Sequence, residues 1–93
     1  MIRKLVHGLT MITTGQCRGA RGLLGWKQAD LAKAAGIAVI TVQQFEAAVG
    51  QPRRSTIAVI RQAFESAGIE FIDENGGGPG VRLRKRAHRT PGK

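Results

Sequence analysis

Gln44 carries a side chain able to recognise a pattern on another molecule. Its amide sets a donor beside an acceptor, the arrangement that pairs bidentately with the major-groove edge of adenine. Gln43 can reach a base or a phosphate. Val39 and Ile40, just before them, can neither donate nor accept, yet either can rest on a thymine methyl. Phosphates would need cations, and Arg53 and Arg54 follow in the next loop.

Other chemistries find less support. Catalysis needs convergent groups in a protected cleft. Cys17 lies beside Arg18 with no histidine placed to serve it, and it reads as a small core residue. As the only cysteine, it permits neither an internal disulfide nor a cysteine-based metal site. His7 and His88 are far apart and lack a carboxylate or nucleophile partner. GGGPG, in the C-terminal part, is followed by no helix and no Lys-Ser or Lys-Thr pair, so it reads as a hairpin connector, not a phosphate cradle. No enzyme activity, metal or cofactor is expected.

The charge points the same way as the amides. Fifteen Lys and Arg stand against six Asp and Glu, a formal net charge of +9. Arg82, Arg84, Lys85, Arg86, Arg89 and Lys93 crowd the C-terminus. Such an excess suits a polyanion, of which nucleic acid is the commonest. No apolar run is long enough to span a bilayer, and MIRKLVHGLTMITTG lacks the continuous apolar stretch of a signal peptide, so a cytoplasmic location is expected.

The elements that must position these groups are short helices. Ninety-three residues suit one domain with a modest core. With three Phe, one Trp and no Tyr, that core must come mainly from Leu, Ile, Val and Ala. Residues 1–13 show no period and are expected to be a flexible extension. From Thr14, a candidate cap, Cys17, Ala20, Arg21 and Leu24 recur at helical spacing up to Gly25. A second helix is expected from about Lys27 to Ala34, a third from about Val39 to Ala47, and a fourth from Thr56 to Gly68, with Ile57, Ile60, Ala63, Phe64 and Ala67 along one side.

The pattern then changes. IEFIDENGGGPGVRLRK holds two short runs around a Gly-rich turn, with Ile69 and Phe71, and Val81 and Leu83, able to face one way. Glu70 can pair with Arg82 or Arg84. Such a ribbon is marginal alone, so it must pack on the helices or pair with a second copy. The units are thus 1–13, a helical domain 14–68, a hairpin or dimerisation ribbon 69–86, and a disordered basic tail 87–93.

The second and third helices carry the most specific signal. In QADLAKAAGIAVITVQQFEA, Leu31, Ala32 and Ala35 face inward and Gly36 permits a sharp turn. Ile37 plugs the junction, while Val42 and Phe45 give the third helix a buried face. This size pattern matches a helix-turn-helix and resembles the phage-repressor-like (XRE/Cro-type) family of small bacterial regulators. CRGARGLLGWKQADLAKAAGI before the turn and TVQQFEAAVGQPRRSTI after it extend the likeness from Gly15 to about Gly68.

The resemblance implies a mainly α fold, a bundle of four or five helices, here followed by a short β-hairpin. It implies a dimer on double-stranded DNA, with Val39, Ile40, Gln43 and Gln44 at base-facing positions and Gln28 and Thr41 at phosphate-facing ones. It also implies a pair between Arg21 and Glu46 that braces the first helix against the third. Arg53, Arg54, Arg82, Arg84, Lys85 and Arg86 are further phosphate candidates by charge, and residues 69–84 are a candidate dimer contact.

Three departures matter. Ala38 replaces the usual Ser or Thr cap of the third helix, Ala48 stands where glycine is common, and Val49 and Gly50 replace polar or basic residues. Val39 and Ile40 remain open to three readings: DNA contact, contact with a protein partner, or burial. The expected role is transcriptional regulation, as a repressor or an antitoxin-type autoregulator. A protein-interaction module on the same scaffold is the alternative.

Overall fold

The computed structural model describes residues 11–74 and 76–84. Four helices and one hairpin follow in order: α1 (Thr14–Leu24), α2 (Gln28–Ala35), α3 (Val39–Glu46), α4 (Arg54–Ser66), β1 (Ile69–Ile72) and β2 (Gly80–Leu83). This is the expected helical bundle with a C-terminal hairpin. Residues 1–10, most of the expected extension, and the tail from Lys85 onward, including Arg86, lie outside the described residues.

The folded unit begins earlier than the sequence suggested. Ile12 is buried in the core, and Thr13, not Thr14, caps α1. The Thr13 hydroxyl accepts from the Gln16 N–H at 3.0 Å while the Gln16 side chain accepts from the Thr13 N–H at 2.8 Å. This reciprocal box satisfies two donors that the helix start would leave unpaired. α4 likewise starts at Arg54, two residues before the expected Thr56, because Arg53 supplies the extended backbone of the cap position.

Helices α1 and α2 end alike. Gly25 and Gly36 take left-handed backbone, φ 70° and 72°, and the next N–H closes a six-residue loop: Trp26 to Arg21 O at 2.9 Å, Ile37 to Ala32 O at 3.0 Å. α3 ends with the same loop, Val49 N–H to Gln44 O at 2.9 Å, but Ala48 holds the left-handed position at φ 58°.

The core is one cluster reaching from Ile12 to Phe71. Phe64 of α4 is fully buried at its centre. Trp26 stacks on Phe64 at 5.7 Å and Phe71 meets it edge-on at 6.0 Å, so an aromatic line adds to the expected aliphatic packing. α2 packs on α3 and α4.

β1 and β2 pair antiparallel, with Ile69 opposite Leu83 and Phe71 opposite Val81. The hairpin packs on the helices: Ile69 and Phe71 join the core beside α4, and β2 lies along α1. The close approach falls at Gly19, where an added Cβ would meet Val81 Cγ2 at 3.2 Å. Buried Gln16 fastens the far end by donating to Ile72 O at 3.2 Å and Gly80 O at 3.0 Å. Glu70 takes Arg82 as its partner, at 2.8 Å. Leu83 departs from its expected packing with Val81: it is exposed.

Candidate nucleic-acid interface

α3 has two unlike faces. At roughly 100° per residue, Val39, Ile40, Gln43 and Gln44 fall within an arc of about 140°. All four are exposed, Val39 at 40% and Ile40 at 52%. Val42, Phe45 and Glu46 fall outside that arc and are buried, Glu46 at its margin beside Val39. Burial is thereby removed as a reading of Val39 and Ile40. Thr41 lies half-buried at the margin. Ala38 occupies the cap position without a side-chain hydrogen bond. Beside the helix, Thr41, Gln44, Val49 and Gln51 line part of an open groove of about 260 Å³.

A buried carboxylate holds this helix in place. Glu46, 7% exposed, closes α3 and gathers donors from two other elements. Arg21 of α1 donates through Nε to Oε2 at 2.7 Å and through Nη2 to Oε1 at 2.8 Å. Gln28, the first residue of α2, donates to Oε1 at 3.1 Å, and the Cys17 thiol to Oε2 at 3.2 Å. Arg18 completes the cluster by donating to the Glu46 backbone carbonyl at 2.9 Å. That carbonyl belongs to the last turn of α3, where a cation also suits the helix dipole.

Electrostatics follow from these contacts. Burial alone would raise the Glu46 pKa, but the hydrogen bonds from Arg21, Gln28 and Cys17, with the charge of Arg21, hold it below the ordinary glutamate value. The hydrogen bond to Glu46 raises that of Arg21 in return. Burial, reinforced by Glu46, pushes the Cys17 thiol far up, so it stays protonated and acts as a donor.

Two short helices joined through Gly36, the second presenting four side chains outward from a buried brace, agree with what a comparison of families finds. The helix-turn-helix family matches residues 18–69, more than half of the chain. The chain is a member of the helix-turn-helix family. A search of characterised proteins finds no matching relative. Membership supports a DNA-binding regulatory role, and proteins of this family are non-catalytic. Among the described residues, no three His, Cys, Asp or Glu could hold a metal ion, and no helix is long and apolar enough to cross a membrane.

The remaining candidates of this helix-turn-helix protein separate into two groups. Arg53 and Arg54 are exposed at the start of α4, directly after the loop that leaves α3. Arg82 is engaged with Glu70, and Arg84 donates to Glu65 O at the other end of α4. Eleven helical steps lead from Arg54 to Glu65, about 16 Å at a rise of ~1.5 Å each. The structure thus joins Gln28 to α3, which carries Thr41, but it gives Arg82 a partner on β1 and Arg84 one at the C-terminal end of α4.

Sequence reasoning passed over Gln16 altogether and gave neither Arg18 nor Cys17 a partner. The Thr13–Gln16 spacing is the signature of a capping box and would have flagged Gln16. Nothing local announces its bonds to carbonyls 56 and 64 residues away.

Proposed function

We propose that the protein is a sequence-specific, double-stranded DNA-binding transcriptional regulator of the phage-repressor-like (XRE/Cro) type, acting as a repressor. α3 enters the major groove. Gln44 reads an adenine edge, Gln43 takes a base or phosphate, and Val39 and Ile40 rest on thymine methyls, which favours sites with A·T content. Thr41, Arg53 and Arg54 hold phosphates, the two arginines from a helix start whose open N–H groups also favour anions. Gln28 combines a phosphate contact with its bond to Glu46.

The observation that carries this reading is the four-residue exposed face of α3, held by Glu46 and facing away from the core. One such helix reads few base pairs. The protein therefore acts as a homodimer on two half-sites about one helical turn apart.

The test is binding to short mixed-sequence duplexes at two salt concentrations, with the wild type and Gln44→Ala. The wild type binds at low salt and loses affinity as salt rises. Gln44→Ala loses more affinity for the preferred site than for random duplex. No binding at low salt defeats the reading.

The apolar side chains of Val39, Ile40 and Val49 favour a second reading, a protein partner seated on α3. An antitoxin that represses its own operon would combine the two. Capture of a protein that Ile40→Ser releases, with no duplex binding, would select the protein-partner reading.

A further inference from the structure

Among the described residues, the hairpin is a two-stranded sheet whose β2 has no strand on its outer side. Arg84 N–H donates to Gly68 O at 2.7 Å. With the observed register, the pairs that exchange hydrogen bonds are then Gly68–Arg84, Glu70–Arg82 and Ile72–Gly80. The backbone groups of Val81 and Leu83 consequently point off the β2 edge, and those of Ile69 and Phe71 off the β1 edge. Ile69 is 1% exposed and Phe71 9%, so the β1 edge is closed. Leu83 is 52% exposed and Val81 half-buried, and among the described residues no strand pairs with β2 on that side.

We infer that this edge accepts an extended strand from a protein partner in which apolar and acidic residues alternate. The backbone of Val81 and Leu83 supplies the ladder for strand addition. A neighbouring apolar side chain covers Leu83 on the inner face. Arg82 governs the outer face. It is 62% exposed on its side chain and spends its Nε on Glu70, which leaves further guanidinium donors for a second carboxylate. Charge decides between the two possible occupants. A second copy would set a strand carrying Arg82 and Arg84 against its own cations, and like charges across a strand pair destabilise it. An acidic strand completes a carboxylate–arginine–carboxylate row. The inference is independent of DNA reading, since the edge lies on the hairpin and not on α3.

Backbone amide NMR of the full chain tests it, with a short synthetic peptide alternating valine and glutamate as the probe. A valine–lysine peptide and a glycine–glutamate peptide are the controls. The valine–glutamate peptide is expected to shift the amides of Val81 and Leu83, and the controls to leave them in place. Proline at an outward-facing edge position removes the N–H offered to the partner but no bond of the hairpin's own ladder. Leu83→Pro should therefore abolish binding, while Leu83→Ala, which keeps the N–H, weakens it by roughly tenfold or less. Arg82→Glu should also weaken binding of the acidic peptide. Trp26 fluorescence checks that each variant is folded.

The inference is overturned if the amides of Val81 and Leu83 do not move, or if Leu83→Pro binds as well as Leu83→Ala. A wild-type dimer that Leu83→Pro dissolves would also overturn it, because a second copy would then hold the edge.

Discussion

Arg21 and Glu46 meet through two parallel hydrogen bonds, 2.7 and 2.8 Å long, that fix the end of α3 against α1. Their worth lies less in the attraction than in what its loss exposes. Removing one member of a buried pair leaves an uncompensated charge and costs about 3–5 kcal/mol. Arg21 keeps some contact with solvent, so Arg21→Ala should lie near the low end, about 3 kcal/mol. Urea denaturation checks this. Arg21→Lys should recover only part, because lysine cannot reproduce the two-pronged geometry.

The same contact predicts an acid response. The folded-state pKa of Glu46 lies below its ordinary value of 4.5. Its contribution to stability is complete above 4.5, shrinks as the pH falls below that value, and is lost once the pH passes through the depressed folded value. Glu46→Gln should therefore be less stable than the wild type at pH 7 and lose less on acidification. Denaturation midpoints measured from pH 7 down to pH 3 give the comparison.

Ala48 is the one described non-glycine residue with positive φ, 58°, and it closes α3 where glycine closes α1 and α2. Left-handed backbone costs an L-residue about 1–2 kcal/mol. Glycine recovers that but adds about 0.4–1 kcal/mol of unfolded-chain entropy. Ala48→Gly should thus gain roughly 0.5–1 kcal/mol, or a rise in Tm of a few degrees by calorimetry. Affinity for DNA should hold, since no base-facing side chain changes.

Two glycines of α1 make a paired comparison. A methyl at Gly22 meets nothing within 4 Å, whereas one at Gly19 meets Val81 at 3.2 Å. Gly22→Ala should gain about 0.5–1 kcal/mol from helix propensity. Gly19→Ala should gain less or turn destabilising, since the Val81 side chain must give by a few tenths of an ångström to admit it. Melting temperatures of the two variants check the order.

The helical part of the fold was legible because it is written locally. Leu31, Ala32, Gly36, Ile37, Val42 and Phe45 sit within one short stretch, and their sizes admit only a tight turn between two crossing helices. Element ends were less legible where neighbours compete for one role. Thr13 and Thr14 can both cap, and only the Gln16 side chain decides between them. Thr56 was the expected start of the fourth helix, yet Arg53 takes the cap position by backbone conformation alone. The hairpin was legible as strands but not as a partner of α1, because Gln16 and Gly19 meet it far along the chain. Leu83 shows the limit of alternation: it points to the inner face, but among the described residues no strand lies beyond it. In the candidate site, the exposure of Val39 and Ile40 is plain only once Val42, Phe45 and Glu46 are seen to occupy the buried side.

The central claim is that the exposed face of α3 reads a DNA sequence. Selection of bound molecules from a pool of random duplexes tests it most directly. The account predicts enrichment of a two-fold symmetric site with A·T content, its half-sites about 10 base pairs apart, and loss of that enrichment in Gln44→Ala. A pool that emerges without enrichment, or the same site selected equally by Gln44→Ala, would contradict it.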